Sequence, residues 1–147
     1  DYNIWIASEE QNIREHIDLV LQKYGKTFSV DIKARRTGNK SRTFDDTWIV
    51  VEFLNTMGDK GWLYGKADYI VFEREKDFVF CETKDLVNLA HTFVDQKTRV
   101  DSYRDAEYKV WGRSYQGKKD LISRMEMSKI LNLKNTFIWK KSVDISN

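Results

Sequence analysis

The stretch Gly65-Lys66-Ala67-Asp68-Tyr69-Ile70-Val71-Phe72-Glu73-Arg74-Glu75-Lys76-Asp77-Phe78-Val79-Phe80-Cys81-Glu82-Thr83-Lys84 decides how this chain is read. Two apolar runs, Tyr69 to Phe72 and Phe78 to Cys81, flank the charged segment Glu73 to Asp77, the pattern of a β-hairpin. If that hairpin is symmetric about Glu75, Asp68 lies directly across from Glu82 and on the same face. Lys84, two beyond Glu82, shares the face by strand alternation, and Cys81 points the other way, into the core. Two carboxylates and an ammonium then converge at the open end of the hairpin. Adjacent carboxylates repel, and hard oxygen ligands suit Mg²⁺ or Mn²⁺. A lysine beside such a metal can orient or deprotonate water, or steady charge on phosphorus. A register slipped by one residue sends Asp68 to the opposite face.

On the N-terminal side, Ser8-Glu9-Glu10-Gln11 has the capping-box form. Ile13, Ile17, Val20, Leu21 and Tyr24 follow at helical spacing, with Gly25 as the expected C-cap. Phe28, Val30 and Ile32 alternate as in a strand, and Thr47 to Leu54 is strand-like. Between Lys33 and Arg42 lie Lys33, Arg35, Arg36, Lys40 and Arg42 with no acid, around a Thr37-Gly38-Asn39 turn signal. This run reads equally as a solvated loop or as a phosphate contact. Gly58, Gly61 and Gly65 mark a loop around Trp62 and Tyr64.

On the C-terminal side, Leu86, Leu89, Ala90 and Phe93 predict a helix. Residues 97–119 hold seven basic residues, Lys97, Arg99, Arg104, Lys109, Arg113, Lys118 and Lys119, against three acids. Tyr103, Tyr108, Trp111 and Tyr115 are interleaved with them. The segment suits sugar-phosphate contact or stacking, and reads equally as a helix pair burying aromatics with its cations outside. Leu121, Ile122, Met125 and Ile130 suggest a last helix, and Thr136 to Trp139 a closing strand. His16 and His91 are read as surface or partner-bonded side chains. The order predicts one α/β domain over 1–147, with a mixed β-sheet flanked by helices.

At 147 residues and 17.5 kDa the chain is long enough for a real core. The 41% hydrophobic and 33% charged composition is that of a globular rather than a disordered protein. Apolar runs such as Trp48-Ile49-Val50-Val51 are far shorter than a membrane span, so no membrane partner is expected. A single cysteine and two histidines exclude an internal disulfide and a Cys/His zinc cage, and point to an intracellular, reducing compartment. The net charge of +2 announces no nucleic-acid binder, so that inference rests on the clustered cations.

Asp68 followed by Glu82-Thr83-Lys84 at the end of an apolar strand resembles the PD-(D/E)xK nuclease signature. The resemblance covers the element order αβββαβ from about Glu10 to Trp139, and only the hairpin by motif. It implies a restriction-endonuclease-like core in which Asp68 and Glu82 bind Mg²⁺, with Mn²⁺ able to substitute. It further implies that Lys84 assists the water and that the Thr83 carbonyl completes the metal shell. Many members also turn a first-helix glutamate toward the site, and Glu10 lies nearer the apolar stripe than Glu9. Ala67 stands where the family name has proline. Some exonuclease members carry Gln-x-x-x-Tyr on the next helix, whereas Gln96 is followed by Val100 at that spacing. The function so implied is an Mg²⁺-dependent endonuclease on duplex DNA, of the homing, restriction or junction-resolving kind. Arg35, Arg36, Lys40, Arg42, Lys97, Arg99, Lys118 and Lys119 are its candidate DNA contacts, and a homodimer the expected assembly for cutting both strands. An RNA endonuclease of the same fold and a nucleic-acid-binding module without hydrolysis are the alternatives.

Overall fold

A computed structural model describes residues 2–35, 46–112 and 120–142. Ser8 caps helix α1 (Glu9–Glu15) through the expected box with Gln11. The helix does not continue to Gly25. It stops at His16, which is left-handed at φ 54°, and the chain enters strand β2 (Leu19–Lys23), paired on one side with β1 (Asn3–Ile6) and on the other with β3 (Lys26–Lys33). Tyr24 and Gly25, at φ 51° and 74°, form the two-residue turn between Lys23 and Lys26. Positive φ at both positions matches the right-handed twist of a hairpin, which is what Gly25 permits. Ile17 and Leu21, four apart, fit a helical stripe and an extended run alike, and both are buried.

The main sheet has the order β1-β2-β3-β5-β6-β10, with β5 (Tyr69–Glu73), β6 (Asp77–Glu82) and β10 (Phe137–Lys140). Neighbours are antiparallel except β3 and β5, so the sheet is mixed and the fold is α/β. One face carries Leu21, Val30, Val71 and Phe80, with Tyr2, Phe28, Tyr69, Phe137 and Trp139 packed around them. The other face carries Ile70, Phe72, Val79 and Cys81. These pack with Ile49, Val51 and Phe53 of β4 (Trp48–Leu54), Leu86 and Ala90 of α2 (Thr83–Phe93), and Leu63 of a 3₁₀ turn (Trp62–Tyr64).

Residues 95–110 form no helix pair. They supply β7 (Asp95–Arg99) and β8 (Lys109–Val110), a parallel two-stranded unit. The expected last helix divides into β9 (Leu121–Glu126), which pairs with β4, and the short α3 (Met127–Leu131). Ser123 and Met125 alternate inward against β4, and the Ser123 hydroxyl reaches the Ala106 carbonyl at 3.2 Å. Tertiary pairing thus overrides a pattern that also fits helical spacing. No helix among the described residues is long and apolar enough to cross a membrane.

Asp46 joins two parts of this frame. One carboxylate oxygen accepts from Arg35 Nε at 2.9 Å and the other from the Glu75 amide at 3.0 Å. Burial alone raises its pKa, but those two donors outweigh it and hold the carboxyl below its ordinary 3.8. The stability it contributes is present above pH 3.8 and is lost as pH falls through the lower native value. Asp46→Asn should therefore flatten the loss of urea-melt midpoint in that acid range. An unchanged acid dependence would show that the clamp carries no stability.

Candidate active site

The hairpin forms where the sequence places it, but its register differs by one. Tyr69, not Asp68, opposes Glu82, and Val71 opposes Phe80. The turn sets this offset: the Arg74 amide donates to the Asp77 carbonyl at 2.8 Å, and the Arg74 guanidinium grips the Asp77 carboxylate at 2.6 and 2.8 Å. The centre of the turn thus falls between Glu75 and Lys76 rather than on Glu75. Glu82 shares its face with Tyr69 and Phe80, while Asp68 precedes β5 and its carboxylate turns toward β3. Asp68 Oδ2 accepts from the Ser29 amide at 2.8 Å and from the Ser29 hydroxyl at 3.2 Å. The Asp68 amide donates to that same hydroxyl at 3.1 Å.

The open end of the hairpin is nonetheless tightly knit. The Thr83 amide donates to the Asp68 carbonyl at 3.0 Å, and the Thr83 hydroxyl to the Ala67 carbonyl at 2.6 Å. Lys84 reaches Glu82 by a different route from strand alternation, because β6 ends at Glu82 and α2 begins at Thr83. From the first turn of that helix its ammonium stands 3.3 Å from Glu82 Oε2. That contact is an ion pair without hydrogen-bond geometry, since Oε2 is a buried atom with no hydrogen-bond partner among the described residues. Burial raises the Tyr69 hydroxyl pKa, and the charges of Glu82 and Asp68 raise it further while Lys84 opposes them. Both carboxylates and the ammonium therefore act on one side chain. Cys81 points into the core as expected, and burial pushes its thiol up to about 12.

Glu10 is not brought to this cluster. It is exposed and pairs with Arg14 one turn along at 3.3 Å, on a helix that buries none of its residues. Among the described residues no group of three or more His, Cys, Asp or Glu side chains gathers to hold a metal. What the cluster does offer a hard cation is two carboxylates: Glu82, whose buried Oε2 meets the Lys84 ammonium without a hydrogen bond, and the exposed Asp68, whose Oδ1 has no hydrogen bond among the described residues. That donor set fits Mg²⁺, which retains several waters and needs few protein ligands.

Of the candidate nucleic-acid contacts, Arg36, Lys40, Arg42, Lys118 and Lys119 lie outside the described residues. Arg35 is engaged by Asp46. Lys97 and Arg99 lie on β7, whose residues are all exposed. Arg99 borders an open groove of about 630 Å³ with Arg104 and Lys109, interspersed with Asp101, Asp105 and Glu107. Gly112 is required beside Arg99, because a Cβ would sit 2.2 Å from the Asp120 backbone carbonyl oxygen. Tyr115 lies outside the described residues; of the other aromatics of this segment, Tyr108 bonds Glu126 at 3.2 Å, and Tyr103 lies edge-on to Trp111 and under Arg124. His91 is partner-bonded, 2.6 Å from the Tyr64 hydroxyl. Ser29 was not foreseen as a site residue; its only signal is a small polar side chain between Phe28 and Val30. No protein-family model, curated protein or solved structure matches this chain.

Proposed function

We propose that this protein is an Mg²⁺-dependent endonuclease with a restriction-endonuclease-like core that hydrolyses phosphodiester bonds of duplex DNA, with Mn²⁺ able to substitute. The observation that carries this reading is the gathering of Asp68, Glu82, Thr83 and Lys84 at one end of a hairpin, with Lys84 3.3 Å from Glu82. Asp68 and Glu82 would hold the cation, which supplies an activated water and neutralises phosphate charge. The chain's own part is positional. Ser29 fixes the Asp68 carboxylate through its amide and hydroxyl, and Thr83 fixes the Asp68 backbone. Lys84, exposed beyond Glu82, presents an ammonium where a phosphate and its attacking water would meet. Both strands of a duplex are cut by a homodimer whose twofold axis matches that of the DNA.

The test is nicking of supercoiled plasmid with Mg²⁺, with Mn²⁺ and with chelator, run beside a structured RNA. Metal-dependent DNA cleavage supports the reading, and cleavage of RNA alone replaces the substrate. Binding without cleavage under every metal condition supports a module that only binds nucleic acid. One observation favours that second reading: Asp68 turns to Ser29, away from the face of Glu82.

The exposed cations of β7 make a separate prediction. If Lys97 and Arg99 contact phosphates, changing each to alanine should lower the slope of log K against log salt by about 0.9 per lost contact. Equal slopes for wild type and variants would return β7 to an ordinary solvated edge.

A further inference from the structure

The β2–β3 hairpin holds a second grouping of two carboxylates and a lysine, beside the Asp68 cluster, since Asp31 follows Ser29 by two positions on β3. Asp31 is only 4% exposed, although it is ionisable and lies mid-strand. Its Oδ1 is 2.9 Å from Lys33 Nζ, its neighbour on the same face, and that ammonium also lies 4.4 Å above the Trp62 ring. Asp31 Oδ2 is buried and has no hydrogen-bond partner among the described residues. Asp18 brackets the same stretch of β3. Its amide donates to the Val30 carbonyl at 2.8 Å, and its Oδ2 accepts from the Ile32 amide at 2.6 Å. Its Oδ1 accepts from the Asn12 side chain at 2.6 Å.

A structural ion pair accounts for Lys33 and one oxygen of Asp31, but not for the rest. The Lys33 ion pair engages Asp31 Oδ1 and not Asp18, and a carboxylate oxygen of Asp31 shielded from water is left without a donor. Burial holds the Asp31 pKa above its ordinary value, and the negative charge of Asp18 adds to this while Lys33 and His16 oppose it. An ionised carboxylate has about four lone-pair sites, so Asp18 keeps acceptor capacity after its two hydrogen bonds. The missing component is a positive charge that takes oxygen ligands.

We propose that Asp18 and Asp31 form a divalent-cation site in the β2–β3 hairpin, taking Mg²⁺ or Mn²⁺, with Lys33 as the adjacent ammonium. Asp31 supplies its unpartnered Oδ2, Asp18 a remaining lone pair, and water completes the shell. The site goes beyond the endonuclease reading, which places its cation at Asp68 and Glu82.

Mn²⁺ titrated into the ¹⁵N-labelled wild-type chain tests this, because a bound paramagnetic ion broadens nearby amide signals. The signals of Asp18 and Ile32 should broaden at substoichiometric Mn²⁺. In Asp31→Asn that broadening should need at least tenfold more Mn²⁺, while Asp68→Asn leaves the Mn²⁺ dependence at Asp18 and Ile32 unchanged. Each variant's amide spectrum reports its folding, and the wild-type titration stands whether or not a variant folds. Broadening confined to Asp68 and Thr83, no broadening at the hairpin, or an identical titration in a folded Asp31→Asn each overturns the proposal. Plasmid cleavage measured on the same samples keeps the two readings apart: hairpin broadening without cleavage defeats the endonuclease and leaves this site standing.

Discussion

Asp68→Asn and Glu82→Gln should each reduce Mg²⁺-dependent plasmid nicking on the order of a thousandfold or more, while duplex binding persists. Neither side chain belongs to a core, so the urea midpoint of either variant should stay close to that of the wild type. Binding should hold or tighten without metal, because removing a carboxylate near phosphate relieves repulsion. Lys84→Ala keeps both carboxylates and should retain cation affinity, yet lose about 10²–10⁴ in rate as a lost proton-handling group. The double variant Asp68→Asn/Glu82→Gln discriminates further. If both serve one centre, it is no slower than the slower single variant; if they act apart, the losses multiply. The observed register gives this cycle its force, since Tyr69 rather than Asp68 faces Glu82. Near-normal cleavage by any single variant would falsify the assignment.

The hairpin, the capped start of α1, β4, α2 and β10 are legible in the sequence because each is specified locally: by a capping box, by β-branched runs, or by apolar residues at one period. The elements that were not legible depend on partners remote in sequence. Leu19-Val20-Leu21 becomes a strand because β1 and β3 flank it, and Leu121 to Glu126 because β4 is its neighbour. Ionic detail inside the Arg74–Asp77 turn shifts the hairpin by one position, and no apolar pattern reports such a shift. The candidate site was legible to the same depth. Glu82 and Lys84 meet as expected, though through a helix start rather than strand alternation. Ser29 and the Asp18–Asp31–Lys33 group come from segments whose pairing only the fold reveals.

Phe80→Ala should be the most damaging single truncation on the hairpin. Phe80 is 3% exposed and stacks on Phe137 with centroids 4.6 Å apart and planes at 14°, with Trp139 at 4.5 Å and Tyr69 at 6.3 Å. Deleting a buried phenyl ring costs about 3–5 kcal/mol in transfer and cavity terms. The lower end is expected, because Tyr69, Phe137 and Trp139 are only partly buried and are free to close over part of the void. For a chain of this length that corresponds to a fall in Tm of roughly 6–12 °C. In urea the midpoint should drop with the m-value unchanged. Glu82 lies two residues further along the same strand face, so this variant also separates structure from chemistry. Phe80→Ala should lose cleavage in step with the folded fraction and recover most of it on cooling below its midpoint. Glu82→Gln should stay folded and inactive at every temperature. A Phe80→Ala protein that melts like the wild type would mean that the aromatic face is a surface rather than a core, and that β6 is held in place from the α2 side alone.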